Sequence, residues 1–140
     1  MWTKKVRIVV DTNIFFSGFN PKGYYYPIIN GIYSENFKLL VSTAILLEYE
    51  EVLQRIFSEE LLDYFWLFIL TSDNVIFVNP TFNFQLPLTD VDDQKFVDCA
   101  VCGGADFLIT NDKHYNILKG INFPKVKVIK GKTFVDNYII

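Results

Sequence analysis

The chain has 140 residues, of which 51% are hydrophobic and 17% are aromatic, and its formal net charge is −3. This length suits one domain over residues 1–140 with a sizeable core. The acidic balance argues against a broad basic face for nucleic acid, but it leaves open an enzyme that holds phosphates through a bound cation. No apolar run could span a membrane and no signal peptide precedes the first strand, so we expect a cytoplasmic protein without membrane contact.

The first predicted strand, Val6 to Val10, stops abruptly at Asp11. Open α/β sheets collect the ends of their strands in one crevice, so a carboxylate at such an end is a candidate ligand. The alternative is that Asp11 only caps a helix or forms a turn. The segment from Ile14 to Gly18 then begins a helix or loop that covers the site.

A second candidate carboxylate lies in the next part of the chain. Pro27 to Tyr33 has helical spacing, and Phe37 to Val41 is a short apolar strand. Ser42 or Thr43 then caps a long helix. Glu48 falls within the apolar stripe of that helix, and a carboxylate on a buried face is costly unless something pairs with it.

The middle of the chain predicts mainly packing surfaces. Ser58 to Leu70 is a strongly apolar helix, Val75 to Val78 is a short strand, and Thr81 to Thr89 is a loop. The apolar helix and the tyrosine run Tyr24 to Tyr26 are candidate partner surfaces. No linker or internal repeat is visible, which again indicates one domain.

Acidic residues crowd the start of the next predicted helix, which runs from Asp90 to about Cys102. Capping and the helix dipole account for aspartates in a first turn. They do not account for Asp98, which lies deeper in the helix and is a possible inward carboxylate. Cys99 shares a face with Cys102, and because the chain has a single histidine, buried thiols are favoured over a zinc site.

The last third repeats the arrangement seen at Asp11. The strand from Asp106 to Thr110 is followed by Asp112, Lys125 to Ile129 is a final strand, and Lys132 to Ile140 is a closing helix. Strands that alternate with helices predict an α/β fold, a single-domain three-layer α/β/α sandwich with a mostly parallel central sheet.

Carboxylates at neighbouring strand ends have a chemical consequence. In such a sheet Asp11 and Asp112 can lie side by side, with Glu48 and Asp93 nearby. Two unit charges about 4 Å apart repel by about 4 kcal/mol at an effective dielectric of about 20, so the pocket takes up protons or binds a cation. Oxygen ligands without His or Cys favour Mg²⁺ or Mn²⁺.

Four segments resemble, in order, the acidic motifs of the PIN-domain ribonucleases, and they look closest to the branch known as toxin components of toxin-antitoxin systems. The resemblance spans nearly the whole chain. The segments are Val9-Val10-Asp11-Thr12-Asn13, Ser42-Thr43-(x)4-Glu48-Tyr49-(x)2-Val52-Leu53, Asp92-Asp93-(x)2-Phe96-(x)3-Ala100 and Leu108-Ile109-Thr110-Asn111-Asp112.

The resemblance implies which residues act. The catalytic and metal-binding set would be Asp11, Glu48, Asp93 and Asp112. Asn13 and Thr110 would support that set. Asp92 would replace Asp93 if the helix begins one residue earlier, and Asp98 stands where many toxin-type relatives carry a small residue.

The resemblance also implies an activity and partners. The activity is endonucleolytic cleavage of RNA that depends on Mg²⁺ or Mn²⁺, and the partners are an RNA substrate, a cognate antitoxin protein and a second copy of the chain. Lys113 and His114 could contact phosphates, although solvated surface charge is the alternative. A PIN fold that binds RNA or protein with weak or no turnover is the competing interpretation.

Overall fold

The structure is a computed structural model that describes residues 5–56, 59–81, 91–120 and 126–139. In chain order its strands and α-helices are β1 (Val6–Val10), α1 (Thr12–Ser17), α2 (Tyr26–Tyr33), β2 (Phe37–Val41), α3 (Thr43–Ile56), α4 (Glu59–Thr71), β3 (Val75–Phe77), α5 (Gln94–Cys102), β4 (Phe107–Ile109), β5 (Val128–Ile129) and α6 (Gly131–Tyr138). Two 3₁₀ segments, Val91–Asp93 and Lys113–Gly120, complete the described elements.

The five strands form one parallel sheet in the order β3-β2-β1-β4-β5. All of its strands therefore end at the same edge. The chain moves from β1 to β2 on one side and later adds β4 on the other side of β1. A crevice opens at such a change of direction, outside the carboxyl ends of the strands. The α/β/α architecture predicted from the sequence is confirmed.

The central strands are buried on both faces. Ile8, Val9 and Val10 are each 0% exposed, although successive residues of a strand point to opposite faces. Continuous burial of this kind is typical of a parallel sheet that helices cover on both sides. The ends of β1 are therefore held in a rigid layer, which fixes the position of the residue that follows.

Aromatic packing holds the helices next to the site. The ring of Phe15 on α1 stacks on that of Tyr49 on α3, with centroids 4.2 Å apart and planes 6° from parallel. The Tyr49 hydroxyl donates a hydrogen bond to the backbone carbonyl of Val10, the last residue of β1. This contact ties α3, which carries Glu48, to the end of the central strand.

Several boundaries differ from those predicted. The helix expected to open at Asp90 begins with the 3₁₀ turn, so the α-helix starts at Gln94. The 3₁₀ segment after β4 was not predicted, because its apolar residues are too sparse for helical periodicity. Asp90, Ser58, Lys125 and all of the expected loop except Thr81 lie outside the described residues.

Smaller differences concern the end of the chain. Strand β5 covers only the last two residues of its predicted range, and α6 begins one residue early, at Gly131, whose amide donates to Asn111 Oδ1 at 3.0 Å. Within the described ranges, none of the helices combines the length and the apolar character needed to cross a bilayer.

Candidate active site

Asp11 is held at the point where β1 ends. Its backbone amide donates to the carbonyl of Ile109 at 2.9 Å, which extends the β1 to β4 pairing by one residue. Its side chain caps α1, since Oδ1 accepts a hydrogen bond from the Thr12 amide at 2.8 Å, and Oδ2 accepts one from the Thr110 hydroxyl at 2.7 Å. Asp11 therefore does cap a helix, as the alternative expected, but a second strand also orients it.

Glu48 lies on α3 and points toward the same strand ends. Its Oε2 accepts a hydrogen bond from the Thr12 hydroxyl, and its Oε1 lies 2.6 Å from Lys95 Nζ. The side chains of Glu48 and Lys95 are 24% and 19% exposed, so both partners of this ion pair are largely shielded. The pairing that a carboxylate on a buried face requires is thus present.

Asp112 follows β4 and is fixed by its neighbours. Its amide donates to the Thr110 hydroxyl at 3.0 Å, while its Oδ1 lies 2.9 Å from the His114 amide and 3.2 Å from His114 Nδ1. Asp93, at the end of the 3₁₀ turn, comes close to this pair. One ligand atom each of Asp93, Asp112 and His114 lie within 4.8 Å of one another, a spacing that a single metal ion could bridge.

The pKa of Asp11 is affected by the neighbouring carboxylates Glu48 and Asp112. Burial is the main cause that raises the pKa of Asp11 above 3.8, and the negative charges of Glu48 and Asp112 raise it further. The hydrogen bonds from Thr110 and Thr12 act in the opposite direction. Asp11 is thus a carboxylate whose charged form is disfavoured, chiefly by burial and further by the neighbouring acids.

Tyr115 is a buried residue whose pKa responds to carboxylates of the same site. Its side chain is 0% exposed, and burial raises the pKa of its phenol far above the usual range. The charges of Asp11, Asp93 and Asp112 raise that pKa further. The Tyr115 hydroxyl donates to the backbone carbonyl of Asp93 at 3.5 Å, which places it beside the 3₁₀ turn.

Two of the supporting residues, Asn13 and Asp98, line separate clefts. Asn13 is exposed and lines a cleft of about 300 Å³ together with Asp11, Tyr25, Asn111 and Asp112, which we call the acidic cleft. Asn111 Nδ2 donates to the Tyr25 hydroxyl at 2.8 Å, so this member of the tyrosine run closes one wall.

Asp98 faces inward, as the sequence suggested, and is 7% exposed. It lines a second cleft, of about 440 Å³, with Ser42, Phe77 and Lys95. Asp92 is exposed, unlike the half-buried Asp93. Of these two neighbours, Asp93 is the one with a ligand atom within 4.8 Å of those of Asp112 and His114.

Two residues near the carboxylates were not anticipated from the sequence. Tyr115 offers no local signal, since it lies in a segment without clear periodicity. Lys95 does offer one, because it stands in the first turn of α5, where the helix dipole disfavours a cation. A lysine in that position indicates a compensating negative partner elsewhere in the fold.

The comparisons with known proteins agree with this geometry. Residues 7–114 match the family model described as PIN domain, a span that contains all four carboxylates. The chain is 32% identical over 148 residues to an uncharacterized protein of Methanocaldococcus jannaschii, an alignment that covers 96% of this chain and 92% of that protein.

A solved structure shares the fold. The crystal structure of VapBC2 from Rickettsia felis bound to a DNA fragment from their promoter superposes with a TM-score of 0.63 at 17% identity, covering 89% of this chain and 98% of that one. The family match includes the strand end at Asp11, the helix that carries Glu48 and the strand end at Asp112. The chain therefore belongs to the PIN-domain family.

Proposed function

We propose that the protein is a metal-dependent endoribonuclease that hydrolyses RNA phosphodiester bonds, and that it is the toxin of a toxin-antitoxin module. PIN domains are generally nucleases. The observation that carries the proposal is a chain of close acidic groups from four separate elements: Asp93 lies close to Asp112, and the charges of Asp112 and Glu48 both act on Asp11. Like charges gathered there repel one another, and a bound cation would relieve that repulsion.

The donor set fits a hard divalent cation. Carboxylate oxygens from Asp11, Glu48, Asp93 and Asp112 are ligands that suit Mg²⁺ or Mn²⁺, and the raised pKa of Asp11 is what a cation would reverse. These residues would hold the ion. When bound, it would supply a water activated as nucleophile and stabilise charge on the leaving oxygen.

The remaining residues of the site would orient these acids and admit the substrate. The Thr12 hydroxyl holds Glu48, and the Thr110 hydroxyl holds Asp11, so neither carboxylate is free to rotate. The acidic cleft is open to solvent at the exposed Asn13. Lys113 and His114 are also exposed, and we assign them to phosphate contacts at the mouth of the cleft.

The decisive experiment is cleavage of single-stranded and structured RNA by purified protein in Mg²⁺, in Mn²⁺ and in EDTA. We expect cleavage only with a divalent cation, and a loss of about 100-fold or more in Asp11→Asn, because a ligand charge is removed. Asp73→Asn, at an exposed position before β3 and away from the carboxyl ends of the strands, is the matched control and retains full activity. Equal cleavage by Asp11→Asn and wild type would contradict the proposal.

A binding module without turnover is the second candidate function. The observation in its favour is that both carboxylate oxygens of Glu48 are already engaged, one by Thr12 and the other by Lys95. Under this alternative, RNA would be retained on the protein and recovered intact in every metal tested.

The proposed partners are a cognate antitoxin and a second copy of the chain. The likeness to VapBC2 from Rickettsia felis, solved bound to a DNA fragment from their promoter, supports an antitoxin partner here. We place a basic antitoxin side chain against the acidic cleft. We place the homodimer contact at the apolar face of α4, where Tyr64, Leu67 and Leu70 are 53%, 60% and 69% exposed.

A further inference from the structure

Lys95 occupies a helix position where a positive charge is unfavourable. It is the second residue of α5, and a cation in the first turn of a helix opposes the helix dipole. Its side chain is only 19% exposed, so solvent screens its charge poorly. A residue that is unfavourable for its own helix needs a partner elsewhere, and that partner is Glu48.

The ion pair uses a carboxylate that the proposed reaction also needs. Lys95 Nζ lies 2.6 Å from Glu48 Oε1, and the Thr12 hydroxyl donates to Oε2. Each carboxylate oxygen has two lone pairs, so a divalent cation can share Glu48 with these donors, but its charge repels the ammonium of Lys95 and not the neutral hydroxyl of Thr12. Thr12 is 5% exposed and fixed as the first residue of α1, whereas Lys95 carries its ammonium on a long flexible stem. The lysine is the donor that can leave.

The ammonium of Lys95 can move into the second cleft when it leaves Glu48. Lys95 lines this cleft, together with Ser42 at the end of β2 and Phe77 at the end of β3. The volume of about 440 Å³ is within the range of small-ligand pockets. Asp98 lies three residues further along α5, and side chains at this spacing are neighbours on a helix. Its carboxylate therefore favours a cation on the cleft side of Glu48.

We propose that Lys95 is a phosphate-binding residue, which neutralises Glu48 until a divalent cation replaces it there and then binds an RNA phosphate at the second cleft. This inference rests on the proposed function, since it takes RNA as the substrate. An ammonium is a compact, flexible point charge suited to a phosphate contact that forms and breaks.

The first test measures metal binding without RNA. Titration calorimetry with Mn²⁺ compares wild type with Lys95→Met, which keeps the stem and removes the charge. Loss of the competing cation is expected to tighten Mn²⁺ binding by about 10-fold. Lys127→Met, which removes a lysine next to β5 at the edge of the sheet, retains the wild-type affinity within about 3-fold. Unchanged or weaker Mn²⁺ binding by Lys95→Met overturns the proposal.

The second test measures RNA binding, with Ca²⁺ in place of the catalytic ion. The affinity for a short single-stranded RNA is measured across a series of KCl concentrations. Loss of one phosphate contact reduces the slope of log K against log[salt] by about 0.7, and Lys95→Met is expected to show that reduction while Lys95→Arg does not. An unchanged slope in Lys95→Met also overturns the proposal.

The two proposals fail in different ways. Absence of Mn²⁺ binding or RNA cleavage in the wild type defeats the proposed function. A wild type that binds Mn²⁺ and cleaves RNA, together with a Lys95→Met variant that matches it in both titrations, defeats only the role of Lys95. Circular dichroism verifies folding, and Lys95→Gln, which keeps a polar head, repeats both titrations should Lys95→Met not fold.

Discussion

The Thr110 hydroxyl donates a hydrogen bond to Asp11 Oδ2 at 2.7 Å and accepts one from the Asp112 amide at 3.0 Å. One side chain, 2% exposed, therefore orients acidic residues that follow two different strands. The hydrogen bond to Asp11 also lowers the pKa of that carboxyl, against the effect of burial. Thr110 thus controls both the position and the charge of Asp11.

We expect Thr110→Val to reduce RNA cleavage by about 10-fold to 100-fold, the usual cost of losing a group that orients a metal ligand. Because the lost hydrogen bond lowers the pKa of Asp11, the acid limb of the pH-rate profile moves to higher pH. Thr110→Ser keeps the hydroxyl and keeps the wild-type profile. Identical acid limbs for the valine and serine variants would show that the hydroxyl does not act on Asp11.

Asp11 should make the metal-free protein less stable as the pH rises. Its folded pKa is raised above 3.8, mainly by burial, so its contribution to stability is fully present below 3.8 and is lost as the pH rises through the folded value. In EDTA, Asp11→Asn removes this loss, so its Tm exceeds that of the wild type by a few degrees at neutral pH. With Mn²⁺ present, the wild type gains Tm and the variant does not.

Asp136 provides a control of opposite sign for this measurement. A hydrogen bond from Tyr24 is the main cause that lowers the pKa of Asp136 below 3.8, with Lys132 adding to it. Its contribution to stability is therefore present above 3.8 and is lost as the pH falls through the folded value. Asp136→Asn should lower Tm slightly at neutral pH, and a rise in Tm there would show that the comparison does not isolate the acidic cleft.

Asp93 and Asp92 are adjacent in sequence and should differ in effect. Asp93 lies close to Asp112 and His114, whereas Asp92 is exposed. We expect Asp93→Asn to weaken Mn²⁺ binding and to reduce cleavage by about 100-fold, and Asp92→Asn to change either by less than about 3-fold. Calorimetry and cleavage rates on the same preparations measure both. A larger loss in Asp92→Asn would transfer the ligand role to that residue.

The exposed apolar face of α4 should mediate self-association. Leu67 is 60% exposed on this face, and burying it against a second copy removes apolar surface from water. Leu67→Glu is expected to shift the protein from dimer to monomer in light scattering coupled to gel filtration. Ile117→Glu changes an apolar residue that is 48% exposed elsewhere, and should leave the dimer intact. A wild type that stays monomeric at high concentration contradicts the homodimer.

Much of the fold could be predicted because its signals are local. The run from Val6 to Val10 is apolar apart from Arg7 and does not alternate, which indicates a strand buried on both faces, and the structure buries Ile8, Val9 and Val10 completely. The same reasoning predicted the buried strand from Phe37 to Val41. The apolar stripe of α3 likewise placed Glu48 on the side of that helix that faces the core. Parallel pairing then brings the ends of such strands to one edge whatever the loops do.

The boundaries that were missed depend on weak or non-local signals. The acidic turn before α5 is 3₁₀ rather than α-helical, and this difference rotates Asp93 relative to the helix that follows. Strand β5 is short, and its pairing with β4 determines its length more than its own composition does. Local propensity cannot fix either feature, because both depend on contacts with distant parts of the chain.

The sequence by itself determined the order of the elements and the carboxylates at their ends, because hydrophobic periodicity and strand termination are properties of neighbouring residues. Only the tertiary structure decided how those carboxylates are paired. The contact of Lys95 with Glu48 and that of Thr110 with Asp11 join residues far apart in the chain. These contacts arise where α3 packs against α5 and β1 pairs with β4, and no local pattern encodes them.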